Sequence, residues 1–412
     1  MHQNWVLSSL SLICSVVWTA PGPGDVFRDF TYNYGASPGR HFSELDPGCK
    51  REFPETDSFY NKKHMVPKTL ELDLEGATKA EMSVEYWGGH IGTSEQKFKV
   101  NGNDWIYIPQ PQNTPTEPEC YYRTVLGNAS VPIPLDQLKH GPNAFQFTCG
   151  PQIRYGFDWG MFWVYSFTVR IYYNESKPHP TGRVISAQSG STIGDYPDIS
   201  AEASSPNSSV KQVDFIGYYE DFDWEGDGVY RQWHYQTQYG VIHRHIGTSA
   251  AHPYKVTWDN FWAPDQSVRI MAKITDKNGV CAMTLAVDNI SLARQDRSVV
   301  MYKPYEVPER FGVRVGNRMT CKIDVPDSLE KAADARLILS TWSADHAEEI
   351  GLNGKILVEK IGRVHDYSYD AIPVPLENIN QGTNVFHIFS NTEHHAAEVN
   401  WPGPVLMVEF RK

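Results

Sequence analysis

Alternation of apolar and polar residues with a period of two recurs along this chain, and such alternation predicts strands. The runs "AEMSVEYW", ending at Trp87, and "ARLILSTW", ending at Trp342, each open with Ala and close with Trp. A His follows each Trp, His90 and His346, and each segment then reaches an Asn-Gly pair, Asn101-Gly102 and Asn353-Gly354. Asn-Gly supplies the positive φ of a tight hairpin. Next come "VPIPLDQLKHGPNAFQF" from Val131 and "IPVPLENINQGTNVFHI" from Ile372, which align without gaps. Pro132, Pro134, Leu135, Gly141, Asn143 and Phe145 meet Pro373, Pro375, Leu376, Gly382, Asn384 and Phe386. Finally "FDWGMFWVYSFTVRIYY" and "VNWPGPVLMVEF" place Trp159 and Trp401 ahead of a closing strand. The shared order predicts an internal duplication of a β-sandwich of roughly a hundred residues or more.

Between the copies the pattern changes. Residues 176–210 are rich in Ser, Pro and Gly and poor in apolar periodicity, which reads as a linker, partly extended along the first domain. Residues 211–296 then carry "HPYKVTWDNFWAPDQSVRIMAKITDKNG", with Pro253, Tyr254, Thr257, Trp258, Asp259, Pro264, Asp265, Asp276 and Gly279. This stretch resembles the bacterial-type immunoglobulin-like domains of secreted polysaccharide-acting proteins. The duplicated unit, with its NG hairpin and "PL..L..G.N.F.F", resembles the sugar-binding jelly-roll domains of galactose-binding-like fold. The resemblances imply an all-β chain: jelly rolls over 21–175 and 297–412 flanking an immunoglobulin-like sandwich. They carry no catalytic residues with them. The word "HIGTS" occurs at His90 to Ser94 and again at His245 to Ser249. The copies fall in different kinds of domain, so the repetition reads as coincidence.

Composition narrows the partners. A net charge of −12, with no block of Lys and Arg, excludes nucleic acid and anionic membranes. Aromatic residues reach 13%, which suits β-cores and also sugar recognition by ring stacking. Residues 1–20 have an uncharged apolar stretch from Trp5 to Trp18 and a break at Pro21, which predicts a signal peptide and a secreted protein. Sequons at Asn128, Asn174, Asn207 and Asn289 predict exposed glycosylation sites. Without the leader five cysteines remain. Cys120 with Cys149 is the expected disulfide, and the pairing of Cys49, Cys281 and Cys321 stays open.

Three stretches carry candidate chemistry. "EDFDWEGDG" alternates Asp221, Asp223, Glu225 and Asp227, oxygen donors at every second position that suit Ca²⁺; the plain alternative is a solvated acidic turn. "SNTEHHAAEVNWPGP" holds His394, His395, Glu398 and Trp401, suited to acid–base work, a transition metal or a hydrogen-bonded loop. Adjacent residues of an extended segment face opposite ways, so only one of the two histidines is expected to join a given site. "RYGFDWGMFW" is the equivalent loop of the first copy, with Arg154, Tyr155, Asp158 and Trp159. The leading expectation is carbohydrate binding through Trp87, Arg154, Tyr155, Trp159, His346, His395 and Trp401. The competing class is a glycoside hydrolase or polysaccharide lyase, with His90, Asp158, His394 and Glu398 as candidate catalytic residues. A third is an adhesive surface protein.

Overall fold

The structure is a computed structural model that describes residues 20–33, 42–45, 66–88, 92–109, 129–154, 160–238 and 240–412. It is almost entirely β, and its helical residues among those described form single 3-10 turns. In the first sandwich, strands Val26–Asn33, Met161–Tyr173, Ala77–Trp87 and Ala129–Pro132 lie side by side. Lys68–Leu72, Gly141–Thr148, Lys97–Val100 and Ile106–Tyr107 form the facing sheet. The alternation now has a direction. Ala80, Met82, Val84 and Tyr86 point into a core with Phe98, Phe145 and Phe147, while Glu81 and Glu85 take the opposite face.

The C-terminal sandwich repeats this plan. Arg297–Tyr302, Val405–Arg411, Ala332–Trp342 and Tyr367–Pro373 belong to one sheet, and Asn317–Val325, Gly382–Ser390, Glu349–Leu352 and Lys355–Val358 to the other. The duplication extends to single hydrogen bonds. The Asn101 amide donates to Gln137 O and to Asn143 Oδ1, both at 2.9 Å, and accepts from Ala144 N at 3.0 Å. Asn353 donates to Asn378 O at 2.8 Å and to Asn384 Oδ1 at 2.7 Å, and accepts from Val385 N at 2.9 Å. Asn101 and Asn353 sit at φ of 52° and 51°, the left-handed region in which Asn is tolerated far better than branched residues.

The middle unit corrects the linker expectation. Thr181–Val184 and Asp198–Ser204 are strands that pair with each other, and Asp198–Ser204 pairs with Tyr254–Thr257. Thr192–Ile193 runs parallel to Ser291 and Leu292. Val184, Ile193, Ile199 and Ala201 are buried with Phe215, Trp258 and Ile270, so residues 181–204 complete this core. The inward positions of "DISAEAS" are Ile199, Ala201 and Ala203, two of them too small to show as a strand among serines. Asp276 closes the turn to Gly279, its Oδ1 accepting from Asn278 N at 2.9 Å and Val280 N at 3.0 Å.

Val26–Asn33 ties the units together. It pairs with Met161–Tyr173 on one edge, and its Val26 and Phe27 pair with Ala282 and Cys281 on the other, so one sheet runs from the first sandwich into the middle unit. The two copies of HIGTS have different partners. Thr93 Oγ1 donates to Met161 O at 3.0 Å and accepts from Met161 N at 3.2 Å, whereas Thr248 Oγ1 donates to Asp214 Oδ1 at 2.7 Å. Cys281 and Cys321 are buried free thiols. Cys149 is also buried, and its expected partner Cys120 lies outside the described residues, as does Cys49. Among the described residues no helix is long and apolar enough to cross a membrane.

Candidate functional site

The outward faces of the two sandwich sheets meet. Trp87 and Trp342, equivalent residues of the duplication, stack on each other at 4.6 Å between ring centroids and 10° between planes. Trp163 packs beside Trp87 at 4.4 Å. Trp87 and Trp342 are each 2% exposed, which corrects the expectation that Trp87 offers a surface to sugar. Its ring is spent on holding the sandwiches together. Beside the stack, the Tyr367 hydroxyl donates to Glu85 Oε1 at 2.5 Å across the junction, and Ser166 Oγ donates to Glu85 Oε2 at 2.7 Å. The Tyr165 ring meets Tyr367 edge-on at 5.5 Å. Burial pushes the Asp366 carboxyl above its ordinary range.

Four histidines gather on the rim of this junction, from three loops of the C-terminal sandwich. His346 ends the 3-10 turn Ala344–His346 that follows Trp342, His365 precedes the strand Tyr367–Pro373, and His394 and His395 lie in the loop after Gly382–Ser390. Serines fasten these loops. Ser343 N donates to Asp366 O at 2.9 Å and its Oγ accepts from His365 N at 3.1 Å. Ser390 Oγ donates to His346 O at 2.6 Å and accepts from Thr392 N at 3.2 Å. His394 N in turn donates to Thr392 Oγ1 at 3.2 Å.

Imidazole crowding follows. His365 Nε2 and His394 Nε2 are 3.1 Å apart, and one ring nitrogen from each of His346, His365 and His394 lies within 4.8 Å of the other two. His346 Nε2 is buried with no hydrogen-bond partner among the described residues, an arrangement that costs about 1–3 kcal/mol for a neutral group. The His365 ring lies parallel to Trp342, and burial, then His394 and His346, hold its imidazole below the ordinary histidine range. His395 packs its ring 4.4 Å from His365 and 4.3 Å from His394. The expectation that His394 and His395 diverge is therefore corrected. Residues 393–395 bend instead of extending, so strand alternation does not govern them.

The other expected residues are placed as follows. Glu398 is half-buried and opposite Trp342 in the ladder, on the same face of the sheet as the Trp stack. Trp401 is half-buried at the start of the closing strand's approach, and Arg154 is half-buried with its backbone N donating to Gln152 Oε1 at 2.9 Å. His90, Tyr155, Asp158 and Trp159 lie outside the described residues, as does Asn128. Asn174, Asn207 and Asn289 are exposed.

The acidic loop is stapled by its own backbone. Asp223 accepts from Gly226 N at 3.0 Å, Gly228 N at 2.6 Å and Gln232 Nε2 at 2.6 Å, while Asp227 accepts from Val229 N at 2.8 Å and Asp221 from Phe222 N at 2.8 Å. Burial raises the Glu225 carboxyl to about 8 and that of Asp221 to about 6. Among the described residues, the group of three ligand atoms that come together is the histidine one. From the same region of the middle unit, Arg244 lays its guanidinium over the rings of Trp224 and Tyr369, joining this unit to the C-terminal sandwich.

Sequence reasoning missed His365, which stands in "GRVHDYSYD" without a motif around it. It also missed a pair of aromatic rings on the first sandwich, Trp105 half-buried and Tyr107 exposed. They lie at the strand Ile106–Tyr107, which pairs with Lys97–Val100, with Lys99 Nζ 4.8 Å from the Trp105 ring and Lys97 Nζ 5.3 Å from that of Tyr107. Their i, i+2 spacing after Asn101-Gly102 was the available signal.

No protein-family model matches the chain, and no curated relative does. Solved structures similar to it include a β-porphyranase of glycoside hydrolase family 86 from the human gut bacterium Bacteroides plebeius, at 11% identity and a TM-score of 0.23. That match covers 57% of this chain and 37% of that one, so the chain spans about a third of the hydrolase's length. The fibronectin(III)-like modules of Clostridium thermocellum CbhA are similar at 12% identity and TM-score 0.18, covering 52% of this chain and 98% of theirs. A carbohydrate-binding module of the β-sandwich superfamily is similar at 9% identity and TM-score 0.16, covering 57% and 97%.

Proposed function

We propose that the chain is a secreted, glycosylated protein that binds extracellular polysaccharide or glycan at the histidine-bearing rim of its C-terminal sandwich. The observation that carries this reading is the convergence of His365 with His394 and His395, brought together by two loops against Trp342, whose ladder partner is the half-buried Glu398. Planar polar groups pair with sugar hydroxyls, and a partly exposed ring offers a flat apolar surface to the sugar's C–H face. A second reading, a glycoside hydrolase or polysaccharide lyase, is favoured by the buried Tyr367–Glu85 pair and the raised Asp366 carboxyl adjoining His365.

The test is incubation with a panel of neutral and uronic-acid polysaccharides, scoring retention of the protein and mass spectrometry of soluble products. Retention on one polymer, lost in a His394→Ala, His395→Ala double variant, is the expected result. New oligosaccharides establish the enzymatic reading, and products lighter by one water than hydrolysis products make it a lyase. Neither retention nor products on any polymer overturns both readings.

A further inference from the structure

We propose that His346, His365 and His394 form a binding site for one divalent transition-metal ion of the zinc–copper group. A tetrahedral ion with metal–nitrogen bonds of about 2.0–2.1 Å holds its ligand nitrogens about 3.3 Å apart. His365 Nε2 and His394 Nε2 already stand 3.1 Å apart, and one ring nitrogen from each of His346, His365 and His394 lies within 4.8 Å of the other two, a triangle close to the size an ion needs. Closing that triangle needs side-chain motion only. The loops are already fixed to one another through Ser343 and Ser390.

Proton bookkeeping supports the same conclusion. Two facing imidazole nitrogens share at most one proton, so one donates and the other accepts. A third nitrogen added to that pair has no complement among them. The buried His346 Nε2 has no hydrogen-bond partner among the described residues, an independent sign that this cluster is built around something other than its own protons. An all-imidazole set selects borderline ions such as Zn²⁺, Cu²⁺ or Ni²⁺ and discriminates against Ca²⁺ and Mg²⁺, which require oxygen. The Asp345 carboxylate is 3.9 Å from His346 Nδ1, beyond hydrogen-bond length, and reaches the ring to orient it only after a side-chain rotation. His394 is exposed, so three protein ligands leave a coordination position that opens to solvent. None of this depends on whether the chain binds sugar.

The experiment uses the full chain, stripped with chelator and titrated with Zn²⁺ alone by calorimetry, with Ca²⁺ in parallel. Co²⁺ replaces Zn²⁺ for absorption spectroscopy. One tight Zn²⁺ equivalent, intense Co²⁺ bands of four-coordinate type and a rise in Tm with Zn²⁺ are expected, and Ca²⁺ should produce none of these. His394→Ala and His346→Ala should each weaken Zn²⁺ by more than about 100-fold, since loss of outer-sphere partners alone costs about 10–100-fold. His140→Ala, on the first sandwich, should leave it unchanged. His394 is exposed, so its variant should keep the metal-free Tm and remain interpretable if His346→Ala unfolds. Absence of tight Zn²⁺ binding, or equal affinity in wild type and His394→Ala, overturns the proposal.

Discussion

The duplicated asparagines show how much one side chain holds in this fold. Asn384 has no exposed surface. Its amide donates to Asn380 O at 2.8 Å and Gly382 O at 3.0 Å, and accepts from Asn380 N at 2.8 Å and Asn353 Nδ2 at 2.7 Å. That uses both donors and both acceptor positions of an amide. Asn143 repeats the arrangement with Lys139, Gly141 and Asn101. Asn384→Ala takes the partner from the Asn380 and Gly382 backbone groups and from the Asn353 amide, in a site that is only partly buried, so it should lower stability by about 1–3 kcal/mol in urea unfolding of the full chain. A loss below about 0.5 kcal/mol would mean that water takes over these bonds. The Gly-x-Asn spacing was visible in the sequence, but its reason was not. A plug that binds the preceding turn and the Asn-Gly hairpin together is a three-dimensional arrangement of residues 30 or more positions apart along the chain. His365 was invisible for the opposite reason: no spacing rule connects it to His346 and His394, because separate loops bring it to them.

Among the elements, the alternating runs ending at Trp87 and Trp342 read correctly as strands because large apolar residues, Met82, Val84 and Tyr86 in one and Leu337 and Leu339 in the other, follow the inward alanine. Asp198–Ser204 did not, because Ala201 and Ala203 stand inward where larger residues would have marked it. Yet Ile199 has no exposed surface and packs in the core with Phe215 and Trp258. Ile199→Ala should therefore cost about 2–5 kcal/mol, the range for truncating a buried aliphatic side chain. A residue in a solvated linker would shift stability by no more than about 0.5 kcal/mol. Comparing urea midpoints of wild type and this variant decides between the two. The loop holding His394 and His395 makes the same point in reverse. Its residues were legible as chemistry but not as geometry, because a bent segment follows neither the helical nor the strand period.

At the scale of the whole molecule, the units are joined by faces that read as solvent-exposed in the sequence. Arg170 projects from the outward face of Met161–Tyr173, where alternation places polar residues, yet it is 6% exposed. Its Nε is 2.7 Å from Asp29 Oδ1 and its Nη1 is 3.1 Å from Glu81 Oε1, while the Tyr235 hydroxyl of the middle unit donates to Asp29 Oδ2 at 2.7 Å. Burial alone would raise the Asp29 carboxyl, but Arg170 and then Lys273 outweigh it and hold the group below the usual carboxylate range. A carboxyl depressed by folding contributes stability above its unfolded value of 3.8, and that contribution is lost as pH falls through the folded value. Arg170→Met removes the partner and leaves two carboxylates in the seam between the first sandwich and the middle unit. At pH 7 this should cost about 3–5 kcal/mol, the range for breaking a buried ion pair on one side. With no guanidinium beside it, burial outweighs Lys273 and raises the Asp29 carboxyl in the variant, so it takes up a proton on folding and the penalty should shrink steadily as pH is lowered toward 4. Urea midpoints of wild type and Arg170→Met measured from pH 7 to pH 4 test this. A difference that stays constant over that range would show that the seam depends on the packing of Arg170 against Phe27 and Tyr235 and not on its charge.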